Sequence, residues 1–195
     1  MRIKTDQRET VLKDFVDRVA QATRETPLTV FVCGPAVFTS KGTKSRRRGA
    51  RIRDFVSKKI AERGLTVFWG EHRSLRNAGK GISLESFTDA DREVHFAEKS
   101  ADLILIFPDS AGSIAELGGF SLHEHIAPKM LVVFDASRRF GKGFVIKAVA
   151  RAAKTRKAQI KFKDYSQKAD VWTTVEQVLT KIQTVKLTSK SYASS

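Results

Sequence analysis

The sequence predicts an α/β fold, a flavodoxin-like (Rossmannoid) open sheet of five parallel strands in the order 2-1-3-4-5 with helices on both faces. Three observations predict it. Short apolar segments alternate along the chain with longer amphipathic ones. The short segments are apolar at consecutive positions, as in strands covered on both faces. Right-handed crossovers between such strands then leave few possible topologies.

The predicted elements follow from periodicity and from turn residues. Apolar runs rich in β-branched residues indicate strands at 27–34, 65–70, 101–109, 129–135 and, more weakly, 159–162. Apolar residues at helical spacing indicate helices at 10–22, 44–63, 87–100, from Ser113 onward, 144–153 and 171–182. The polar, glycine-containing segment 71–86 is long enough to be a functional loop.

The length of 195 residues indicates one domain, which we place at 1–187. It comprises an N-terminal helix at 5–24, expected to cover a face of the sheet, and a core at 27–183. The polar segment 188–195 is expected to be disordered. The single cysteine, Cys33, excludes a disulfide framework, and the charged N-terminus lacks the apolar core of a signal peptide. These features, with no apolar run of about 20 residues, predict a cytoplasmic protein without a membrane span.

Ligands of open parallel sheets bind beyond the carboxyl ends of the strands, at the switch point between the first and third strands. The residues that the prediction places there are Gly34, Pro35, Glu71, Asp109, Ser110, Gly112, Ser113 and Glu116.

Glu116 has two interpretations. It fits a capping box, in which Ser113 caps a helix and Glu116 reaches back to the cap. It also fits a catalytic carboxylate beside small residues that let a sugar or phosphate approach the backbone. A position near a helix N-terminus would keep the carboxylate ionised.

The segments "TVFVCGPA", "TVFWGEH" and "DADREVHFAEKSADLILIFPDSAGSIAELGGFS" resemble the nucleoside 2-deoxyribosyltransferase-like superfamily, a relative of TIR domains. Within it, they resemble effector proteins encoded beside retron reverse transcriptases. The segment from Asp109 to Gly118 is similar to the transferase motif Asp-x-Gly-Thr-x-x-Glu-x-Gly, with one extra residue and with Ser113 in place of Thr. The resemblance implies that Glu116 acts at the anomeric carbon, that Asp109 contacts sugar or base, and that Gly112 and Ser113 surround the ribose.

Breaking an N-glycosidic bond passes through an oxocarbenium-like state, which one carboxylate can capture or stabilise. A second group must stabilise or protonate the leaving base, and the candidates are Glu71, Glu93 and Asp109. Glu93 is equally well explained as a surface charge, and Asp109 as the cap of a turn.

The formal charge of +15 arises from 36 Lys and Arg against 21 Asp and Glu, and favours polyanionic partners. Two basic segments carry the candidates for nucleic-acid contact, namely Arg46, Arg47, Arg48, Lys154, Arg156 and Lys157. The alternative is a surface charge that keeps the protein in solution.

Other motifs are weak. "LHEHI" lacks zinc-peptidase spacing and "GTKS" lacks the upstream glycine of a P-loop, so no metal and no resident cofactor are predicted. "RRFGKGF", with Lys142, fits a phosphate-binding turn less well than an ordinary basic turn.

Two functions follow. The first is an N-glycosidase, or deoxyribosyltransferase-like hydrolase, that acts on a nucleotide, an NAD-like dinucleotide or a nucleic-acid base. The resemblance implies a toxic effector in retron-type phage defence, with retron nucleic acid and a reverse transcriptase complex as partners. The alternative is a non-catalytic nucleotide-sensing module whose basic face binds nucleic acid or a partner complex.

Overall fold

Helices and strands alternate in the computed structural model, which describes residues 3–70, 88–138 and 144–193. The strands are β1 (Thr29–Cys33), β2 (Thr66–Trp69), β3 (Leu103–Ile106), β4 (Met130–Asp135) and β5 (Gln159–Lys163). The α-helices are α1 (Ile3–Glu25), α2 (Arg48–Glu62), α3 (Asp89–Lys99), α4 (Ala111–Phe120), α5 (Phe144–Thr155) and α6 (Lys168–Ala193). Short 3-10 turns occupy Ala127–Lys129 and Ala136–Arg138.

The five strands form one parallel sheet in the order β2-β1-β3-β4-β5, which confirms the predicted fold. Val30 of β1 lies beside Val67 of β2 and Leu103 of β3, and Ile104 of β3 lies beside Met130 of β4. All four residues of β3 are buried, as its apolar sequence predicts for a central strand. The carboxyl ends of all strands therefore meet at one edge, which we call the carboxyl edge.

The helices α3, α4 and α5 cover one face of the sheet. Their buried side chains, which include Ala97, Leu117 and Ala153, join strand residues such as Phe31 and Val132 in one apolar cluster. On the other side of β1 and β2 packs α2, whose buried stripe comprises Ile52, Val56 and Ile60. Cys33, at the end of β1, is buried in the first cluster with 1% of its surface exposed.

The chain divides into two compact units where the sequence indicated a single domain. One unit comprises residues 1–27 and 176–195, and the other comprises residues 28–175. In α1, the predicted apolar stripe leaves Phe15, Val16 and Val19 exposed, at 62%, 55% and 41% of their surfaces. The expectation that α1 covers a face of the sheet stays a prediction, because α1 and the sheet belong to different units.

Most of the segment 188–195, which the sequence suggested to be a disordered tail, belongs to α6, which continues to Ala193. The polar side chains of this segment are accommodated within the helix, because their hydroxyl groups donate to carbonyl groups one turn earlier. Thr184 donates to the carbonyl of Thr180, Thr188 to that of Thr184, and Ser189 to that of Val185.

Among the residues that the structure describes, no helix combines the length and the hydrophobicity needed to cross a bilayer.

Candidate functional site

Four phenylalanine rings fix the helices that carry the candidate carboxylates. Phe31 of β1 lies 5.3 Å from Phe96 of α3 and 6.1 Å from Phe120 of α4, measured between ring centroids. Phe68 of β2 lies 4.9 Å from Phe96. Such tilted and edge-on aromatic pairs add about 0.5–1.5 kcal/mol each beyond the area they bury. The rings therefore hold α3 and α4 against β1 and β2.

Glu93 and Glu116 lie about one helical turn before Phe96 and Phe120. Both carboxylates converge on Gly70, the residue that follows β2. A Cβ atom at Gly70 would lie 2.7 Å from Oε1 of Glu93 and 3.8 Å from Oε1 of Glu116. Because both distances start from the same point, the separation of the two oxygen atoms cannot exceed the sum of the two distances. We call these two half-buried side chains the acidic pair.

The capping-box interpretation of Glu116 is wrong, because α4 begins three residues earlier than Ser113 predicted. Ser110 is the N-cap, and its hydroxyl accepts from the backbone N–H of Ser113 at 3.2 Å. The Ser113 hydroxyl in turn accepts from the backbone N–H of Ser110 at 3.0 Å. Glu116 therefore lies in the second turn of α4, outside the cap and beyond the strongest influence of the helix dipole. The reciprocal serine cap also engages both hydroxyl groups predicted to contact substrate.

Asp109 has a structural role at the start of α2. The N-cap residue of α2, Arg47, makes no side-chain capping bond. Asp109 provides the missing acceptor from the end of β3, since its Oδ2 accepts from the backbone N–H of Gly49 at 3.0 Å. A Cβ atom at Gly49 would lie 2.5 Å from that of Asp109, so only glycine permits this approach. The sequence suggested that Asp109 caps a turn, and the structure shows it capping a distant helix. Its contact with a sugar or base stays a prediction.

A buried arginine holds the turn after β1, where Gly34 and Pro35 were predicted to line the site. The Arg53 guanidinium, with only 1% of the residue exposed, donates to the carbonyls of Val32, Gly34 and Pro35 at 2.8–3.2 Å. It also lies 5.4 Å from the ring centre of Trp69. The sequence did not single out Arg53, because a basic residue within a basic helix carries no sign that it is buried.

The remaining predicted contacts fall into two groups. Gly112 is exposed in the first turn of α4, and a Cβ atom there would meet no atom within 4 Å, so the position is open to a ligand. Glu71 and Lys142 lie outside the described residues. In the described part of the chain, no three His, Cys, Asp or Glu side chains group as metal ligands.

The two basic clusters lie at opposite edges of the sheet. Arg46 and Arg47 are exposed and precede α2 at the carboxyl edge. Arg48, beside them, pairs with Asp135 at 3.3 Å and with Asp164 at 2.6 Å, so its charge is largely neutralised. Lys154 lies in the last turn of α5, and Arg156 and Lys157 follow it before β5 begins, at the edge where the amino ends of the strands meet. The six predicted nucleic-acid residues therefore form two surfaces.

The fold and the site define an open-sheet α/β protein with an acidic pair at its carboxyl edge. The chain belongs to the STM3845 retron effector family, whose model matches residues 90–195, more than half of the chain. A segment of 47 residues is 36% identical to the retron Ec86 putative ribosyltransferase/DNA-binding protein of Escherichia coli. That match covers 24% of this chain and 15% of the Escherichia coli protein.

Gly70 is the site residue that sequence reasoning missed, since it reads only as the end of a strand. One signal in the sequence could have indicated where the site lies. Phenylalanines occur at 31 and 68 in two strands and at 96 and 120 in the two helices that carry the acidic pair, and Gly70 lies two residues after Phe68. Rings of this size within apolar strands and on helix stripes indicate a shared cluster.

Proposed function

We propose that the chain is an N-glycosidase, or a nucleoside deoxyribosyltransferase-like hydrolase, that acts on a nucleotide, an NAD-like dinucleotide or a nucleic-acid base. The observation that carries the proposal is the convergence of Glu93 and Glu116 on Gly70 at the carboxyl edge. Carboxylates in pairs are the groups that glycosidic cleavage uses. The family supports a role as an effector in retron-associated phage defence, and the name of the Escherichia coli relative supports ribosyl chemistry.

In the proposed reaction, Glu116 faces the anomeric carbon and captures or stabilises the oxocarbenium-like cation as the bond to the base breaks. Glu93 gives a proton to the leaving base and then takes one from the water that attacks the same carbon. The base leaves with the proton from Glu93, and one proton of the water restores Glu93. The hydroxyl group of the water bonds to the anomeric carbon and breaks any bond that Glu116 has formed there.

The substrate's phosphate has a plausible site at the same edge. Arg46 and Arg47 are exposed beside the N-terminus of α2, and neither pairs with a carboxylate within the described ranges of the chain. Exposed guanidinium groups suit a phosphate, because each can donate two parallel N–H bonds to its oxygen atoms. This arrangement favours nucleotides over free nucleosides. As macromolecular partners, we propose retron nucleic acid and a reverse transcriptase complex.

The test is the isosteric change Glu116→Gln. We expect more than about a hundredfold loss of base release, because the amide keeps the shape and loses the charge that the cation needs. Chromatography of free base released from nucleosides, nucleotides and NAD measures it. Glu124→Gln, which neutralises an exposed carboxylate just after α4, is the control and should leave turnover unchanged.

Two results would contradict the enzyme. Normal turnover in Glu116→Gln would remove this residue from the chemistry. Nucleotides that bind to the unmodified protein with micromolar affinity and stay uncleaved over hours would favour the nucleotide-sensing alternative.

A further inference from the structure

The outer surface of α5 carries several cations, and two grooves beside it are lined by them. A groove of about 510 Å³ between α5 and β5 is lined by Arg151, Lys154 and Lys161. A second groove of about 460 Å³, on the other side of α5, is lined by Lys147, Arg151 and Arg156. Arg151 belongs to both grooves, and the described residues that line them include no carboxylate. We call these five cations, with Lys157, the basic face of α5.

These cations differ from others of the protein in having no ion pair. Within residues 3–70, 88–138 and 144–193, none of the six pairs with a carboxylate. By contrast, Lys44 and Lys58 both pair with Asp54, and Lys59 pairs with Glu62. Since like charges three and four positions apart on a helix repel one another, Lys147, Arg151 and Lys154 lower the stability of α5 unless an anion binds.

Lys157 adds a backbone observation that is independent of charge. It follows the end of α5 with φ of 71°, the left-handed conformation that glycine normally occupies after a helix. A lysine there strains the backbone where glycine would not. The chain thus keeps a cation at a position where its backbone geometry favours another residue.

The groove between α5 and β5 also has an apolar floor. Ile160 and Phe162 of β5 are half-buried there, and Ala150 and Ala158 complete it. Cations on a rim above an apolar floor suit single-stranded nucleic acid, whose phosphates meet the rim while its bases lie on the floor. A folded duplex turns only its backbone outward and would leave the floor uncovered.

We propose that the basic face of α5 binds single-stranded nucleic acid. The inference rests on the nucleic-acid partner proposed above and gives it a location. β5 and β2 are the two outer strands of the sheet, roughly 19 Å apart at about 4.8 Å per strand. The surface is therefore separate from the acidic pair beside β2, and it can be occupied while the site is open.

The experiment measures fluorescence anisotropy of labelled oligothymidylate and oligouridylate, from low to physiological salt. The variant Lys147→Gln/Arg151→Gln/Lys154→Gln should bind more than tenfold more weakly at low salt. Its slope of log affinity against log salt should fall by about 2, since each lost phosphate contact removes about 0.7. The matched control, Lys44→Gln/Lys58→Gln/Lys59→Gln, removes the same charge from paired lysines. Its changes in log affinity at low salt and in the salt slope should each be less than a third of those in the first variant.

Lys157→Gly separates the charge from folding. We expect a melting temperature that is unchanged or higher, because glycine relieves the left-handed strain, together with weaker oligothymidylate binding. A normal affinity in this variant would remove Lys157 from the surface.

Other outcomes would overturn the proposal. Equal losses in the matched control would show that net charge alone matters. Tighter binding to a duplex of equal length, or equal binding to polyglutamate, would exclude single-stranded nucleic acid as the specific partner. A loss seen only in Arg46→Gln/Arg47→Gln would keep the nucleic-acid partner and move it to the carboxyl edge. No binding by the unmodified protein at low salt would reject both the nucleic-acid partner and its location on the basic face of α5. None of these outcomes affects the test of Glu116, which measures base release.

Discussion

Gly70 shows how much of the candidate site depends on a missing side chain. The strand β2 ends just before it, and the acidic pair occupies the space that a Cβ atom would need. The contact is with the far end of a flexible carboxylate, so a substitution there displaces Glu93 more than it disturbs the backbone.

We therefore predict that Gly70→Ala keeps the fold and lowers the proposed activity at least tenfold, because the methyl group pushes the Glu93 carboxylate away from its position. Calorimetric melting and base-release kinetics measure the two effects. Gly119→Ala is the control, since an added Cβ at that exposed position of α4 meets no atom within 4 Å. Full activity in Gly70→Ala would show that the position of Glu93 does not matter for turnover.

At the residue scale, the sequence predicted Glu93 and Glu116 as site residues, and the structure brings their carboxylates together. Asp109, also predicted as a site residue, caps the N-terminus of α2. Asp109 was hard to judge because its partner, Gly49, is 60 positions away in the chain. A local pattern identifies a carboxylate at a strand end, but only the packed fold shows which helix N-terminus comes to lie beside it.

At the element scale, the helix that carries Glu93, α3, begins with a capping box. Asp91 accepts from the hydroxyl of Thr88 at 2.6 Å and from its backbone N–H at 2.8 Å. The Thr88 hydroxyl bond, and then the backbone bond, hold the pKa of Asp91 below its ordinary value. Glu93 lies in the second turn of α3, directly after the turn that this box starts, so fraying of the helix N-terminus would move it.

The lowered pKa fixes the sign of a pH effect. The box stabilises the fold fully above the ordinary Asp pKa of about 3.9, and this contribution is lost as the pH falls through the lower folded-state pKa. We predict that Asp91→Asn lowers the urea midpoint at neutral pH and that its difference from the unmodified protein shrinks below about pH 4. Asp89→Asn, which keeps the box, should not show this pattern. A difference that stays constant with pH would exclude the box as its cause.

Element boundaries were predicted less well than the elements themselves. The helix α2 starts at Arg48 instead of Lys44, because Lys44 forms an isolated antiparallel bridge with Phe38 and Arg47 is extended. The helix α4 starts at Ala111, because either of two serines three apart could cap it and Ser110 does. Such choices depend on the tertiary position of the preceding strand, which sequence patterns do not contain.

At the scale of the whole molecule, strand order was predictable because five apolar segments separated by helices allow few right-handed arrangements. The exposed stripe of α1 was not predictable. Phe15, Val16 and Val19 have the spacing of a buried helix face, and periodicity records that a helix is amphipathic without recording what covers it. The same limit applies to charge, since a total of +15 does not reveal that Arg48 is paired, whereas Arg151 makes no ion pair with the carboxylates that the structure describes.

Because the single cysteine is buried, its labelling rate can detect ligand binding without an assay of turnover. Cys33 reacts with a thiol reagent only when β1 opens, so its labelling rate reports the opening equilibrium of the sheet. A ligand that binds the closed form raises the free energy of opening by RT ln(1 + [L]/Kd) and slows labelling accordingly. We predict that nucleotides which occupy the carboxyl edge slow the labelling of Cys33 in Glu116→Gln about tenfold at ten times their Kd. Labelling as fast as that of an unfolded chain, with or without nucleotide, would contradict the burial on which this depends.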